Sequence, residues 1–424
     1  RLAEQTPESR NRYVDLLRAV SISAVVLGHW IMAAPHYSSG TAELSHLLDI
    51  VPWSRWLTWG FQVMPVFFFV GGYSNGTSWD GASDRGQPYA TWLDARLRRL
   101  LGPVVPLIVL WALLGASGFV LGVPEPMIRI GSQVALVPVW FLAIYLVIVT
   151  LVPLSRAAWH RFGFASVWVP ALLAAANDFV FFNTTYRWLG WFNYLLIWSA
   201  VHQLGYAWQA GLLRPARVFP LFPLGIGLLL LLTQLGPYPT SLVGVPSETI
   251  SNTTPPKLPL LLLGLAQIGL LLSIEGPARR WLARPVAWTG TVLVNGMIMT
   301  IFLWHSTVMM LTVGAGFWLA PGVFDAVPGS AGWWWLRPFW VLIFALGTFP
   351  FLLIFTRVEA QIARTPAQAT ALWRLIAGAL LLCLGLALLA KGGVSGDGFM
   401  GLDVLAVLLP LAGSTLAGFG PLAF

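Results

Sequence analysis

The chain has 424 residues, of which 57% are hydrophobic and only 9% charged, and its mean hydropathy is +0.76, so it has too little polar surface to cover a soluble globule. The net charge of +8 does not indicate nucleic acid, because no basic cluster is interleaved with a soluble recognition element and the arginines lie between apolar runs. The single cysteine, Cys383, excludes an intramolecular disulfide and sits in an apolar run where packing is its expected role.

Taken in chain order, the N-terminal stretch is polar through Asn11 and lacks the pattern of a removable signal peptide. Apolar runs follow, each near the roughly 20 residues that a spanning helix needs. They lie at about 13–35, 56–76, 100–122, 133–153, 164–181, 191–208, 218–235, 259–274, 286–308, 335–356, 371–390 and 401–420. The last is the weakest, interrupted by Gly413, Gly418, Gly420 and Pro421. The predicted fold class is all-α, a polytopic transmembrane helix bundle of ten to twelve spans making one integral membrane domain over residues 1–424. Counting alternate loops, 18 of the 24 Lys and Arg fall on the side of the N-terminus, and only Arg55, Arg129, Arg187, Lys257, Arg337 and Lys391 on the other. By the positive-inside rule the N-terminus is expected in the cytoplasm, with the protein in the inner (plasma) membrane.

No soluble domain or internal repeat interrupts the bundle, and the longest loops, about 36–55, 77–99 and 237–258, are short enough to be lids or surface connections. The proline-rich loop carrying Pro237, Pro239, Pro246, Pro255 and Pro256 is expected to be a partly ordered cover. The 23 tryptophans suit the headgroup level at both faces; Trp53, Trp56 and Trp59 fit that belt and equally fit stacking on a sugar. Three glycosylation sequons, at Asn75, Asn183 and Asn252, carry no functional weight.

Ionisable chemistry begins in the first span, Arg12-Tyr-Val-Asp-Leu-Leu-Arg18 through Leu27-Gly-His29-Trp30, where such side chains are costly in lipid. Arg18 and His29 are eleven positions apart, close to three helical turns, and so share a face about 16 Å long. Asp15 is spaced to pair with Arg18 and orient it. Singly, Arg18 fits a snorkelling arginine and His29 a helix–helix hydrogen bond. Together on one face they point into a polar cavity, where imidazole suits proton transfer near neutral pH.

These residues resemble acyltransferase family 3, the integral membrane acyltransferases that modify bacterial cell-envelope sugars and lipids. The family's first span carries a basic residue, ten intervening residues and a histidine, matched here by Arg18-x10-His29. Phe67-Phe-Phe-Val-Gly-Gly72-Tyr is similar to its second-span Phe/Gly segment, and Ala95-Arg-Leu-Arg-Arg-Leu-Leu-Gly-Pro103 to its cytoplasmic arginine motif. Trp140 to Tyr145 resembles a mid-chain segment but lacks the glutamate found in some members, and Phe302-Leu-Trp-His305-Ser resembles a late Leu-Trp-His motif. Asn193 with His202-Gln-Leu-Gly205 is similar to actinobacterial members, including those that acetylate trehalose mycolates.

The resemblance implies transfer of an acyl group, commonly acetyl, from cytoplasmic acyl-CoA to a hydroxyl of an extracytoplasmic sugar or glycolipid. Arg96, Arg98 and Arg99 are then expected to hold the nucleotide phosphates of acetyl-CoA or another acyl-CoA, with Arg18 along the pantetheine arm. His29 acts as general base or as acylated nucleophile, and His305, in the outer half of its span, meets it to orient the acceptor or assist proton transfer, or makes a structural hydrogen bond. His202 is expected to be a helix–helix contact, His36 and His46 to lie in an outer loop within reach of the acceptor, and His160 to be chemically idle. No metal is expected, since His-Glu-x-x-His, paired cysteines and close His/carboxylate spacings are absent, and no Gly-x-x-x-x-Gly-Lys loop or nucleophile elbow is present. Membrane lipid is the surrounding partner; oligomeric state depends on exposed helix faces that no pattern here defines. The competing function is a lipid or sugar transporter or flippase without acyl chemistry, which predicts the same polar cavity but no acyl-CoA binding.

Overall fold

The computed structural model describes residues 10–38, 41–364 and 370–419. The first nine residues and the Gly420-Pro421 end of the last expected span lie outside the described residues. The chain is mostly helical. Among the described residues, seven helices are long and apolar enough to cross a membrane, or nine if each of two bent pairs counts as one span.

Helix α1 (Arg12–Met32) starts where the Asn11 side chain accepts hydrogen bonds from the Tyr13 and Val14 amides, at 3.1 and 3.4 Å. It stops where Pro35 biases Ala34 away from helical backbone. There the all-α expectation is corrected locally: Ala33–Ser38 (β1) and Thr41–His46 (β2) pair as an antiparallel hairpin, with Ala33 opposite His46. Arg337, stacked over Trp333 at 3.6 Å, donates to the Ala33 carbonyl at 2.9 Å and ties the hairpin to the bundle.

The other principal helices are α2 (Met64–Asp84), α3 (Tyr89–Leu101), α4 (Val104–Val120), α5 (Glu125–Ala135), α6 (Val139–Thr150), α7 (Ala165–Asn183), α8 (Asn193–Gln209), α9 (Leu221–Gln234), α10 (Leu258–Ser273), α11 (Pro285–Gly296), α12 (Ile298–Leu319), α13 (Ala331–Arg364), α14 (Leu372–Gly392) and α15 (Val404–Leu416). Four of these belong to no candidate span for identifiable reasons: α2 carries Asn75, Asp80 and Asp84, and α8, α11 and α15 have only 17, 12 and 13 residues. The expected span 286–308 is divided, because the chain leaves helical geometry at Met297 and α12 runs on to Leu319.

At the centre, α2 and α8 cross at backbone contact. A Cβ on Gly72 would lie 1.8 Å from the His202 carbonyl oxygen, and one on Gly205 would lie 2.2 Å from that of Phe69, so only glycine fits either position. Aromatic rings close the space around the crossing: Phe68 stacks on Trp198 at 4.5 Å and Phe69 on Trp208 at 5.1 Å.

The proline-rich loop is an ordered cover. Leu242 accepts from Gln62 Nε2 and donates to Thr58 Oγ1, both at 2.9 Å, while Trp59 Nε1 donates to the Thr240 carbonyl at 2.9 Å. Arg55 pairs with Glu248 at 2.9 Å, and Asp49 accepts from the amide and hydroxyl of Ser247. Two sequon residues serve as internal ties: Asn252 donates to the Pro239 and Ser241 carbonyls at 2.8 Å, and Asn75 bonds across the α2–α8 crossing.

Candidate active site

Two histidines 276 positions apart in sequence meet where the last turn of α1 packs against the first half of α12. His29 Nδ1 lies 2.8 Å from His305 Nε2, with the rings near-parallel at 13° and 5.1 Å between centroids. His305 is fully buried, and its Nδ1 is 2.7 Å from the Phe302 carbonyl oxygen. A carbonyl only accepts, so His305 Nδ1 carries the hydrogen. In the neutral ring Nε2 then presents a lone pair, and the hydrogen between the two rings belongs to His29 Nδ1. The Ser306 hydroxyl donates to the same lone pair at 3.1 Å. This order of bonds leaves His29 Nε2 as a free lone pair, the form needed to take a proton or attack a carbonyl. Trp30 Nε1 donates to the His305 backbone carbonyl at 3.1 Å and locks the two helices in register.

Arg18 shares the His29 face and lies nearer the opposite end of α1. Its expected pairing with Asp15 is present as an ion pair at 3.8 Å from Nη1, and the same carboxylate, 3% exposed, also accepts from Arg10 Nε and Nη2 at 2.5 and 3.1 Å. Arg18 thus shares Asp15 with Arg10, and it also interacts electrostatically with Tyr145, Arg99 and Arg96. A cavity of about 330 Å³ is lined by Arg96, Arg98, Arg99 and Arg85, together with Ser78, Gln87, Trp92, Ala95 and Ile362. Arg98 is held by Asp94, with Nε at 2.9 and 3.1 Å from the two carboxylate oxygens, yet its Nη2 is buried without a hydrogen-bond partner. Arg96 lies over the Trp92 ring at 5.6 Å. The four guanidiniums outnumber the carboxylates beside them, Asp94 and the Glu359 that interacts with Arg99, so the cavity lining carries net positive charge. Arg85 was not singled out in the sequence; its place in the loop after α2, across from the Arg96–Arg99 turn, is the signal that would have found it.

The remaining histidines separate by position. His202 is buried in the α2–α8 contact, where Asn75 Nδ2 lies 3.1 Å from its Nε2 and 3.2 Å from the Tyr145 hydroxyl. His36 bonds the Ala34 carbonyl within its own strand and lies 4.0 Å from Glu43. His46 stands apart: it acts electrostatically on His29, and its Nδ1 is buried with no partner. Among the described residues, no group of three His, Cys, Asp or Glu side chains converges as metal ligands would. A larger cavity of about 550 Å³ borders Ala19, Val20, Ser23, Ala24 and Leu27. At about 100° per residue these lie on the opposite side of α1 from Arg18 and His29, so that groove is separate from the site.

The family described as an acyltransferase domain matches residues 11–357, which includes both histidines and every arginine of the cavity. No curated protein and no solved structure matches the chain.

Proposed function

Because the chain belongs to acyltransferase family 3, a family of multi-pass membrane proteins, we propose that it moves an acyl group, acetyl by preference, from cytoplasmic acyl-CoA to a hydroxyl of a cell-envelope carbohydrate or glycolipid. The observation that carries this reading is the His29–His305 pair, with its free Nε2, on the same face of α1 as an arginine that couples to a polycationic cavity. The nucleotide phosphates of the donor fit the guanidiniums of Arg96, Arg98 and Arg99, and the unpartnered Nη2 of Arg98 has a bond left to give them. The extended pantetheine arm then passes Arg18 and spans the roughly 16 Å to His29.

In the transfer step, His29 Nε2 takes the proton from the acceptor hydroxyl as its oxygen attacks the thioester carbonyl. The hydrogen bond from His29 Nδ1 to His305 holds the ring in the productive tautomer, and His305, anchored on the Phe302 carbonyl, shares the positive charge that develops. The carbon–sulfur bond breaks, and the departing thiolate recovers the proton from His29, giving an ester and free CoA. Acylation of Nε2 itself, followed by transfer to the hydroxyl, uses the same lone pair. In this reading the N-terminus is cytoplasmic in the plasma membrane, and α2 and α8 also cross; added to the nine candidate spans they give eleven, within the expected ten to twelve. The acceptor is placed among envelope glycolipids of the trehalose mycolate kind on the likeness around Asn193 and His202.

The test is transfer of labelled acetyl from acetyl-CoA in proteoliposomes containing envelope glycolipids, with wild type and a His29→Ala variant that passes size exclusion. Transfer by wild type alone is expected. Absence of both transfer and acetyl-CoA binding would return the protein to the transporter class.

A further inference from the structure

The outer flank of His29 is formed by the hairpin, whose last residue is His46. The Ala33 amide donates to the His29 carbonyl and ends α1, and Ala33 is directly opposite His46 across the two strands. Paired residues in an antiparallel ladder have Cα atoms about 5 Å apart, so the pairing holds His46 beside the last turn of the helix that carries His29. The two imidazoles are close enough to act on each other electrostatically.

His46 has no structural task that accounts for its ring. It precedes the short helix Leu47–Ile50 in the capping position but makes no capping bond. Its Nδ1 is buried with no hydrogen-bond partner, an arrangement that is costly unless a ligand completes it. Asp49, the charged neighbour that acts on it, is occupied by the amide and hydroxyl of Ser247. His29 has the complementary arrangement, since its Nδ1 is committed to His305 and only Nε2 remains open.

We propose that His46 is an acceptor-binding residue: its Nδ1 hydrogen-bonds a hydroxyl of the incoming carbohydrate and so sets the reacting hydroxyl against Nε2 of His29. The proposal rests on the acyltransfer reading above and adds to it a site for the acceptor, on the hairpin side and separate from the arginine cavity that takes the donor. A sugar offers vicinal hydroxyls, so one can be held by His46 while its neighbour reacts. A site built to hydrogen-bond a hydroxyl discriminates strongly against ligands lacking it.

The experiment uses the full chain in proteoliposomes, with two acceptor probes at graded concentration: the envelope glycolipid fraction and dodecyl maltoside as a defined glycoside. Acetyl-CoA binding is measured in parallel. For His46→Ala, the half-saturating acceptor concentration is expected to rise about tenfold or more while acetyl-CoA binding stays within about twofold of wild type. His46→Gln, whose amide can replace the ring nitrogen as a hydrogen-bonding group, is expected to recover part of the loss, and it serves as the readable variant if the alanine protein does not pass size exclusion. An unchanged acceptor dependence would overturn the proposal. So would a joint loss of donor binding and acceptor dependence in both variants, which marks His46 as structural, or a wild type that binds acetyl-CoA but transfers to neither glycoside. A wild type that binds no acetyl-CoA would instead remove the acyltransfer reading beneath it.

Discussion

His305 lies in a chain of hydrogen bonds that runs from the Phe302 carbonyl through both imidazoles to a free lone pair, and that chain sets what each substitution should do. His305→Ala keeps Nε2 of His29 but releases the ring from its tautomer and orientation, so kcat should fall by about 10²- to 10⁴-fold with little change in acyl-CoA affinity. Steady-state kinetics beside a donor-binding measurement check this, and a parallel loss of donor binding would point to damaged packing. The arginines should behave in the reverse manner. Arg96→Ala or Arg99→Ala should raise KM for acyl-CoA by about tenfold, with a smaller difference from wild type at high salt, since the lost interaction is charge-assisted and screened. Arg98→Ala should also lower thermal stability, because it leaves buried Asp94 without its cation. The common face of Arg18 and His29 was legible in the sequence because both lie on one helix, where spacing alone fixes direction. The i, i+3 pairing of Asp15 with Arg18 was legible for the same reason and forms at 3.8 Å, whereas the closer Arg10 partner was not, since Arg10 precedes the N-cap and helical spacing says nothing about a chain turning back from outside the helix. The contact between His29 and His305 joins residues 276 apart, beyond the reach of any local period, and only the family resemblance drew attention to His305.

At the scale of the element, the α2–α8 crossing is the least tolerant contact. Gly72→Ala would drive a methyl group into the His202 carbonyl, and Gly205→Ala would meet the Phe69 carbonyl, so each should cost about 1–3 kcal/mol or more and lower the unfolding temperature in detergent. Gly227→Ala, where a Cβ meets nothing within 4 Å, is the control and should be neutral or slightly stabilising. The proline-rich cover makes a pH prediction. Lys257 is fully buried beneath it, with Nζ 4.0 Å from the Phe181 ring centroid and 3.1 Å from the Pro255 carbonyl oxygen. Burial pushes its ammonium down from an ordinary 10.5 to about 8, against the opposing pull of Asp178. The depressed value means that the unfolded chain binds more protons than the folded one between about pH 8 and 10.5, so this lysine makes stability rise with pH across that window. Melting curves of wild type and Lys257→Met should converge as the pH is raised, and parallel curves would show that Lys257 titrates alike in both states. The elements were read from the sequence with uneven success for physical reasons. Long apolar runs announced most helices, but Pro35 and the polar residues after it resembled a loop, and strand pairing depends on a partner segment that periodicity does not identify. The break between α11 and α12 was signalled by Asn295-Gly296, a turn-forming pair that the hydropathy of the run concealed; Asn295 Nδ2 is bonded to the carbonyls of Thr291 and Asp15.

At the scale of the whole molecule, the two halves of the proposed chemistry occupy different depths. The arginine cavity adjoins the turn between α2 and α3, whereas the histidine pair lies near the hairpin and the docked proline-rich loop. If 18 of the 24 basic residues mark the cytoplasmic side, that cavity opens inward and the acceptor approaches from outside, so one protein brings together substrates that never share a compartment. Coenzyme A does not cross a lipid bilayer, and sidedness is therefore measurable. Inverted membrane vesicles given acetyl-CoA in the external medium should acylate acceptor inside the lumen, and sealed right-side-out vesicles given the same donor should not. With Cys383 replaced by alanine, an impermeant maleimide should label Glu43→Cys from the outside of right-side-out vesicles and Asp84→Cys from the outside of inverted ones, since both positions are exposed. Labelling of both from one side would remove at least one crossing between the hairpin and the end of α2. Donor activity in right-side-out vesicles alone would reverse the orientation, and with it the assignment of the arginines to the cytoplasmic face. Only the expected pairing, donor access on the Asp84 side and acceptor on the Glu43 side, leaves Arg18 as the point where the thioester arm passes from the cavity toward His29.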